Sequence, residues 1–164
     1  MKTSLVFLVG LLTGATVATG IAQQTPKLAG GPFMNHVSVA YDDLDAARAW
    51  YTQKMGFPEA FVRKDDKGTI TLSFVQISTE TFVELGRTSA TTKQGVNHYG
   101  VFVRDIKATV ADLRSRGVEV TDPRGPRPNE DSLAARVTDP AGVTIELFQF
   151  GPNSAQGKAV AEWK

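Results

Sequence analysis

The apolar and polar positions of this chain change period twice, and the second round repeats the first. Over residues 35–41 the period is two. His36, Ser38 and Ala40 share one face of an extended segment, and Val37, Val39 and Tyr41 share the other, which predicts a strand. The pattern then becomes helical: Asp43 is an N-cap, Leu44, Ala47, Tyr51 and Met55 form a stripe, and Gly56 ends it. Strands at 59–64 and 69–77 follow around an Asp-Asp-Lys-Gly turn, and a strand at 81–86 carries Glu84 between Val83 and Leu85. After a polar linker at 87–95 the order returns. A strand at 97–103 leads to an Asp105 cap and a helix reaching Arg116, stopped by Gly117. A short strand at 118–121, a proline- and charge-rich surface loop, and strands at 133–138 and 143–149 complete the second round.

The two rounds are copies. Asn35-His36 recurs as Asn97-His98, Asp43 as Asp105, Ala46 as Ala108, Ala49 as Ala111, Glu84 as Glu146 and Leu85 as Leu147, each 62 residues on. The expected architecture is therefore α+β, two βαβββ modules (34–86 and 96–150) forming a curled eight-stranded mixed sheet with the helices outside. Approximate twofold symmetry would bring equivalent positions together, within one chain or across a homodimer; the sequence leaves both open. The tail, 151–164, is expected at the periphery.

The repeated polar residues carry the chemistry. His36 and His98 are the only histidines, and both lie in apolar strands. Glu84 and Glu146 are each flanked by apolar residues, and an inward carboxylate needs a cation, a donor or a proton. One such residue could be satisfied by a cross-strand partner or by water. Four at identical spacing point to a metal site of two imidazoles and two carboxylates, suited to one divalent Zn, Ni, Co, Mn or Fe ion. Ser38 and Gly100 leave room beside the histidines, and Phe82 and Phe148 beside the glutamates are expected to wall a substrate pocket. Arg63, Arg87, Arg104 and Arg136 could each clamp a substrate carboxylate, although surface solvation is the commoner role. With both histidines used as ligands, Ser38 has no base and is not a nucleophile.

Composition narrows the field. The formal charge is +1 with no basic run, which argues against nucleic acid as a partner and leaves a small molecule. Cysteine is absent, which removes disulfides and thiolate sites. Lys2 followed by an apolar and then small-residue stretch has the layout of a secretory signal over residues 1–22. The expectation is cleavage after Ala22, with Ala18 the other candidate, a linker at 23–33 and an exported protein, periplasmic or secreted, with no stable membrane span.

The stretches NHVSVAYDDLDAARAWYTQKMGF, NHYGVFVRDIKATVADLRSRGV and DPAGVTIELF resemble the vicinal oxygen chelate superfamily. That superfamily includes glyoxalase I, methylmalonyl-CoA epimerase, extradiol dioxygenases and resistance-type binding proteins. The resemblance covers residues 34–150 and implies His36, Glu84, His98 and Glu146 as metal ligands. It implies a lyase or isomerase of glyoxalase I type, with Glu146, ahead of Glu84, as the carboxylate that moves the proton. Ala40 and Thr88 stand where short glyoxalases carry the Arg and Asn that grip glutathione. An extradiol dioxygenase would need a third histidine, a methylmalonyl-CoA epimerase usually has Gln in place of Glu84, and a binding protein needs no complete ligand set.

Overall fold

A computed structural model of the protein describes residues 27–126 and 130–164. The expected signal segment and its cleavage point lie outside the described residues. Among the described residues no helix is long and apolar enough to cross a membrane.

The first copy comprises β1 (Phe33–Tyr41), α1 (Leu44–Ala49), β2 (Glu59–Lys64), β3 (Ile70–Ser78) and β4 (Thr81–Arg87). The second comprises β5 (Gly95–Phe102), α2 (Ile106–Ser115), β6 (Leu133–Thr138) and β7 (Thr144–Gln149), and α3 (Ala155–Glu162) follows. The strands form one sheet in the order β2-β3-β4-β1-β5-β7-β6. Both first strands pair in parallel with the last strand of their own copy, and β1 and β5 join antiparallel at the centre. Asp43 and Asp105 cap α1 and α2 as expected, accepting from the backbone N–H of Ala46 and Ala108 at 2.9 and 3.0 Å.

Alternation sorts the side chains onto two faces. The outer face packs under the helices: Leu44 of α1 meets Val75, Val83 and Leu85, while Ile106 and Val110 of α2 meet Ala135 and Leu147. Tyr51 packs with the first of these clusters, as the helical stripe predicts.

Three expectations are corrected. Among the described residues the sheet has seven strands rather than eight, because 118–121 is reduced to a bridge between Val120 and Val137. Pro123 and Pro126 just beyond it lack the N–H groups that a ladder requires, and Arg124 between them makes an isolated bridge with Ala134. The first helix does not run regularly to Met55; it widens into a π turn over Trp50–Lys54 before Gly56, at φ +74°, ends it. The tail is not peripheral. Ser154 caps α3, whose Ala159 is buried against Phe74 and Phe82 on the inner face.

Candidate metal centre

The joint between β1 and β5 decides where the repeated residues meet. His36 stands opposite Gly100, and Ser38 opposite His98, so the two copies are related by a local twofold axis between Val37 and Tyr99. On the flanking strands Ser38 pairs with Glu84 and Gly100 with Glu146. Period-two alternation turns all of these positions to the inner face.

Three of the four predicted ligands converge. His36 Nε2 lies 3.3 Å from His98 Nε2, and Glu146 Oε2 lies 3.7 Å from the former and 4.0 Å from the latter. Their ligand atoms are within 4.8 Å of one another, and all three residues are buried. The His36 ring sits edge-on to Phe74 and Phe148, with centroids 6.4 and 5.8 Å away.

Its tautomer is set from behind. Asn35 Nδ2 donates to the Glu80 carbonyl at 2.8 Å, so its Oδ1 is the atom 3.0 Å from His36 Nδ1. An amide oxygen only accepts, so Nδ1 carries the proton and Nε2 presents a lone pair to the centre. Burial lowers the His36 pKa to about 4, against the pull of Glu146 and with a further push from His98. His98 is also lowered, chiefly by burial. Two neutral imidazoles and a carboxylate oxygen thus face one point, a donor set that fits a divalent cation.

Glu84 stands outside this cluster. Its Oε1 accepts from Ser38 Oγ at 2.9 Å. Burial pushes its carboxyl up to about 7, with the Ser38 bond opposing the rise and the charge of Glu146 adding to it. The two glutamates, equivalent in the repeat, are therefore chemically unequal. Gly100, the counterpart of Ser38, offers Glu146 no hydroxyl. Glu146 Oε1 instead accepts from Arg124 at 2.9 Å, with Arg136 Nε at 3.6 Å.

These residues line a cavity of about 460 Å³ that also exposes Ser38, Phe74 and Phe148. Phe82, expected in its wall, does not line it; α3 covers that ring and leaves it 1% exposed. Gly100 does not line it either. Its role is to make room: a Cβ there would lie 2.0 Å from His36 Cε1. Gly100→Ala is accordingly expected to displace the His36 ring and to lower bound metal several-fold, which elemental analysis after dialysis against a fixed ion concentration would measure. Arg63, Arg87 and Arg136 line the cavity, whereas Arg104 donates to the Gly30 carbonyl at 2.7 Å. Arg124 was not among the sequence candidates, since a lone arginine in a proline-rich loop carries no periodic signal.

The family model described as the glyoxalase/bleomycin resistance protein/dioxygenase superfamily matches residues 33–147. The chain belongs to this superfamily. It is 32% identical over 124 residues to a lactoylglutathione lyase of Arabidopsis thaliana, a match covering 71% of this chain but 44% of the plant protein. The chain thus spans less than half of the plant relatives it matches. A probable lactoylglutathione lyase of Synechocystis is 32% identical over 126 residues, with 71% of this chain and 95% of that protein covered. Among solved structures, methylmalonyl-CoA epimerase of Streptomyces coelicolor superposes with a TM-score of 0.62 at 23% identity, covering 74% of this chain and 96% of that one. The epimerase of Mycobacterium tuberculosis gives 0.60 at 24% identity, with 73% and 88% covered. These structural matches show a shared fold.

Proposed function

We propose that this superfamily member is a metal-dependent lyase or isomerase of glyoxalase I type, moving a proton between adjacent substrate carbons. The observation that carries this reading is the division of the four repeated residues. Three bring possible ligand atoms within 4.8 Å of one another, and the fourth, Glu84, stands outside them with Oε1 held by Ser38 at 2.9 Å. His36, His98 and Glu146 would hold the ion. A bound divalent ion supplies Lewis-acid polarisation of two adjacent substrate oxygens and acidifies the neighbouring C–H.

Glu84 is the base in this reading, in place of Glu146. Ser38 fixes one of its oxygens at 2.9 Å, which leaves the other free to take a proton from one carbon and return it to the next. Both oxygens of Glu146 are engaged, Oε2 toward the histidines and Oε1 with Arg124. Phe74 and Phe148 supply apolar wall that limits water around the reacting carbons.

Relatives named as lactoylglutathione lyases support the reaction class. A carrier other than glutathione is the better fit here. Ala40 is buried and lacks a donor, and the Thr88 hydroxyl is engaged with Asp42 Oδ1 at 2.8 Å. The signal-like start supports work outside the cytoplasm.

The test is a panel of α-oxo aldehyde adducts, catechols and thioesters presented to metal-loaded protein in deuterated water. The expected result is metal-dependent deuterium incorporation at the carbon beside a carbonyl. Oxygen uptake with a catechol, or binding without exchange for every class, would overturn the reading.

A further inference from the structure

We propose that the substrate of this centre carries its own carboxylate, gripped by Arg124 and Arg136 beside the ion-binding residues. This rests on the metal-centre reading above and adds a substrate class to it.

The charge lining the cavity is unbalanced. Among the described residues Arg63, Arg87, Arg124 and Arg136 face it together with two carboxylates, Glu84 and Glu146. Arg63 is already committed, donating to both oxygens of Glu130 at 2.8 and 3.0 Å. Arg87 is likewise committed to the Ile70 carbonyl and to Asp45, at 3.1 and 3.2 Å. Among the described residues Arg124 and Arg136 share one carboxylate partner, Glu146, whose other oxygen faces the histidines. An ion at the centre would draw on that same carboxylate and leave the two guanidiniums still further under-neutralised.

The backbone places these arginines as a pair. Arg136 lies on β6 directly opposite Glu146 of β7. Arg124 is fixed against Ala134 by two backbone hydrogen bonds of 2.8 and 3.0 Å, two residues before Arg136. Their side chains are 62% and 47% exposed, so an anion entering the cavity can reach them without uncovering a buried charge. Each guanidinium has five N–H donors in a planar fork matched to a carboxylate. Arg124 spends one of them on Glu146 at 2.9 Å, and Arg136 makes an ion pair at 3.6 Å.

The geometry also sets the spacing within the substrate. The arginines meet Glu146 at Oε1 and the histidines meet it at Oε2. The width of one carboxylate thus separates the anion subsite from the chelating centre. A small oxo- or hydroxy-acid anion, with its carboxylate a few bonds from the reacting oxygens, satisfies both. A neutral catechol uses only one.

Two hydroxamates test this. Acetohydroxamic acid and succinic monohydroxamic acid both chelate through adjacent oxygens, but only the second carries a carboxylate. Each is titrated calorimetrically into nickel-loaded protein and into a nickel-loaded Arg124→Gln/Arg136→Gln variant. The carboxylated probe is expected to bind native protein about tenfold or more tightly than acetohydroxamic acid, the worth of one charge-assisted hydrogen-bonded pair. In the variant the ratio should fall to near one. The ratio is taken within each protein, so a change in the ion itself cancels. Should the double variant fail to retain nickel, Arg136→Gln alone, which leaves the Arg124–Glu146 bond in place, is expected to reduce the ratio. Equal binding of the two probes by native protein, or a ratio that survives the substitutions, overturns the proposal while leaving the metal centre standing. Native protein that retains no nickel and binds neither probe overturns the metal-centre reading itself.

Discussion

His98→Ala protein is expected to remain folded, to lose stoichiometric metal, and to turn over substrate roughly a thousandfold or more slowly. The loss follows, on the proposed metal centre, from removing one of three converging donor residues, 3.3 Å from His36 Nε2 and 4.0 Å from Glu146 Oε2. A bound ion contributes several kcal/mol to stabilising transition-state charge, and about 1.4 kcal/mol is worth a factor of ten in rate. His36→Ala should abolish metal binding equally but is the harsher substitution. Its ring is 1% exposed and lies against Phe74 and Phe148, so truncation leaves a void costing about 2–4 kcal/mol of stability. Elemental analysis, turnover and thermal melting of the two variants separate these effects. Stoichiometric metal retained by both would place the centre elsewhere.

Glu84→Gln is expected to give the opposite combination: metal kept, turnover reduced by about 10²–10⁴, the range for removing a general base. Gln preserves an acceptor for Ser38 Oγ, now 2.9 Å from the carboxylate, so the pocket should keep its shape. Release of the ion would make Glu84 a fourth ligand, and undiminished proton exchange would put the base elsewhere.

The same substitution has a pH signature in protein stripped of metal by a chelator. Glu84 is raised from 4.5 to about 7, so its contribution to stability is fully present below pH 4.5 and is lost as pH rises through 7. By pH 8, Glu84→Gln should therefore be more stable than the native chain by up to about 3 kcal/mol. His36 works the other way. Lowered from 6.5 to about 4, it contributes stability present above pH 6.5 and lost as pH falls toward 4. The native slopes oppose each other between these limits, and the variant should show the histidine slope without the glutamate's. Denaturant unfolding across pH 4–8 measures both.

The framework of the centre was legible because a duplicated unit writes its symmetry into the sequence. His36 and His98 recur 62 apart, and β1 and β5 bring them together. Alternation also placed Glu84 and Glu146 on the inner face. The breaking of that symmetry was not legible. It depends on Ser38 of β1, where the second copy has Gly100, donating to Glu84 of β4, and on Arg124 reaching Glu146 from a loop that no repeat marks. Phe82 was misjudged for a related reason: α3, which has no counterpart at the end of the first copy, closes over it. The strand at 118–121 had the right apolar residues, but prolines beyond it cut the ladder to isolated bridges.

The central pairing of β1 with β5 has a mechanical consequence. It is the one place where strands of the two halves pair among the described residues, and the ligand triad straddles it, with His36 on one side and His98 and Glu146 on the other. An ion held there would rivet the seam as well as serve the chemistry. Ligand that binds only the folded state adds about 2.7 kcal/mol at a concentration a hundredfold above its dissociation constant. The halves would then part more readily wherever free ion is scarce, and the melting temperature of this protein would read the supply of its metal as much as the strength of its fold.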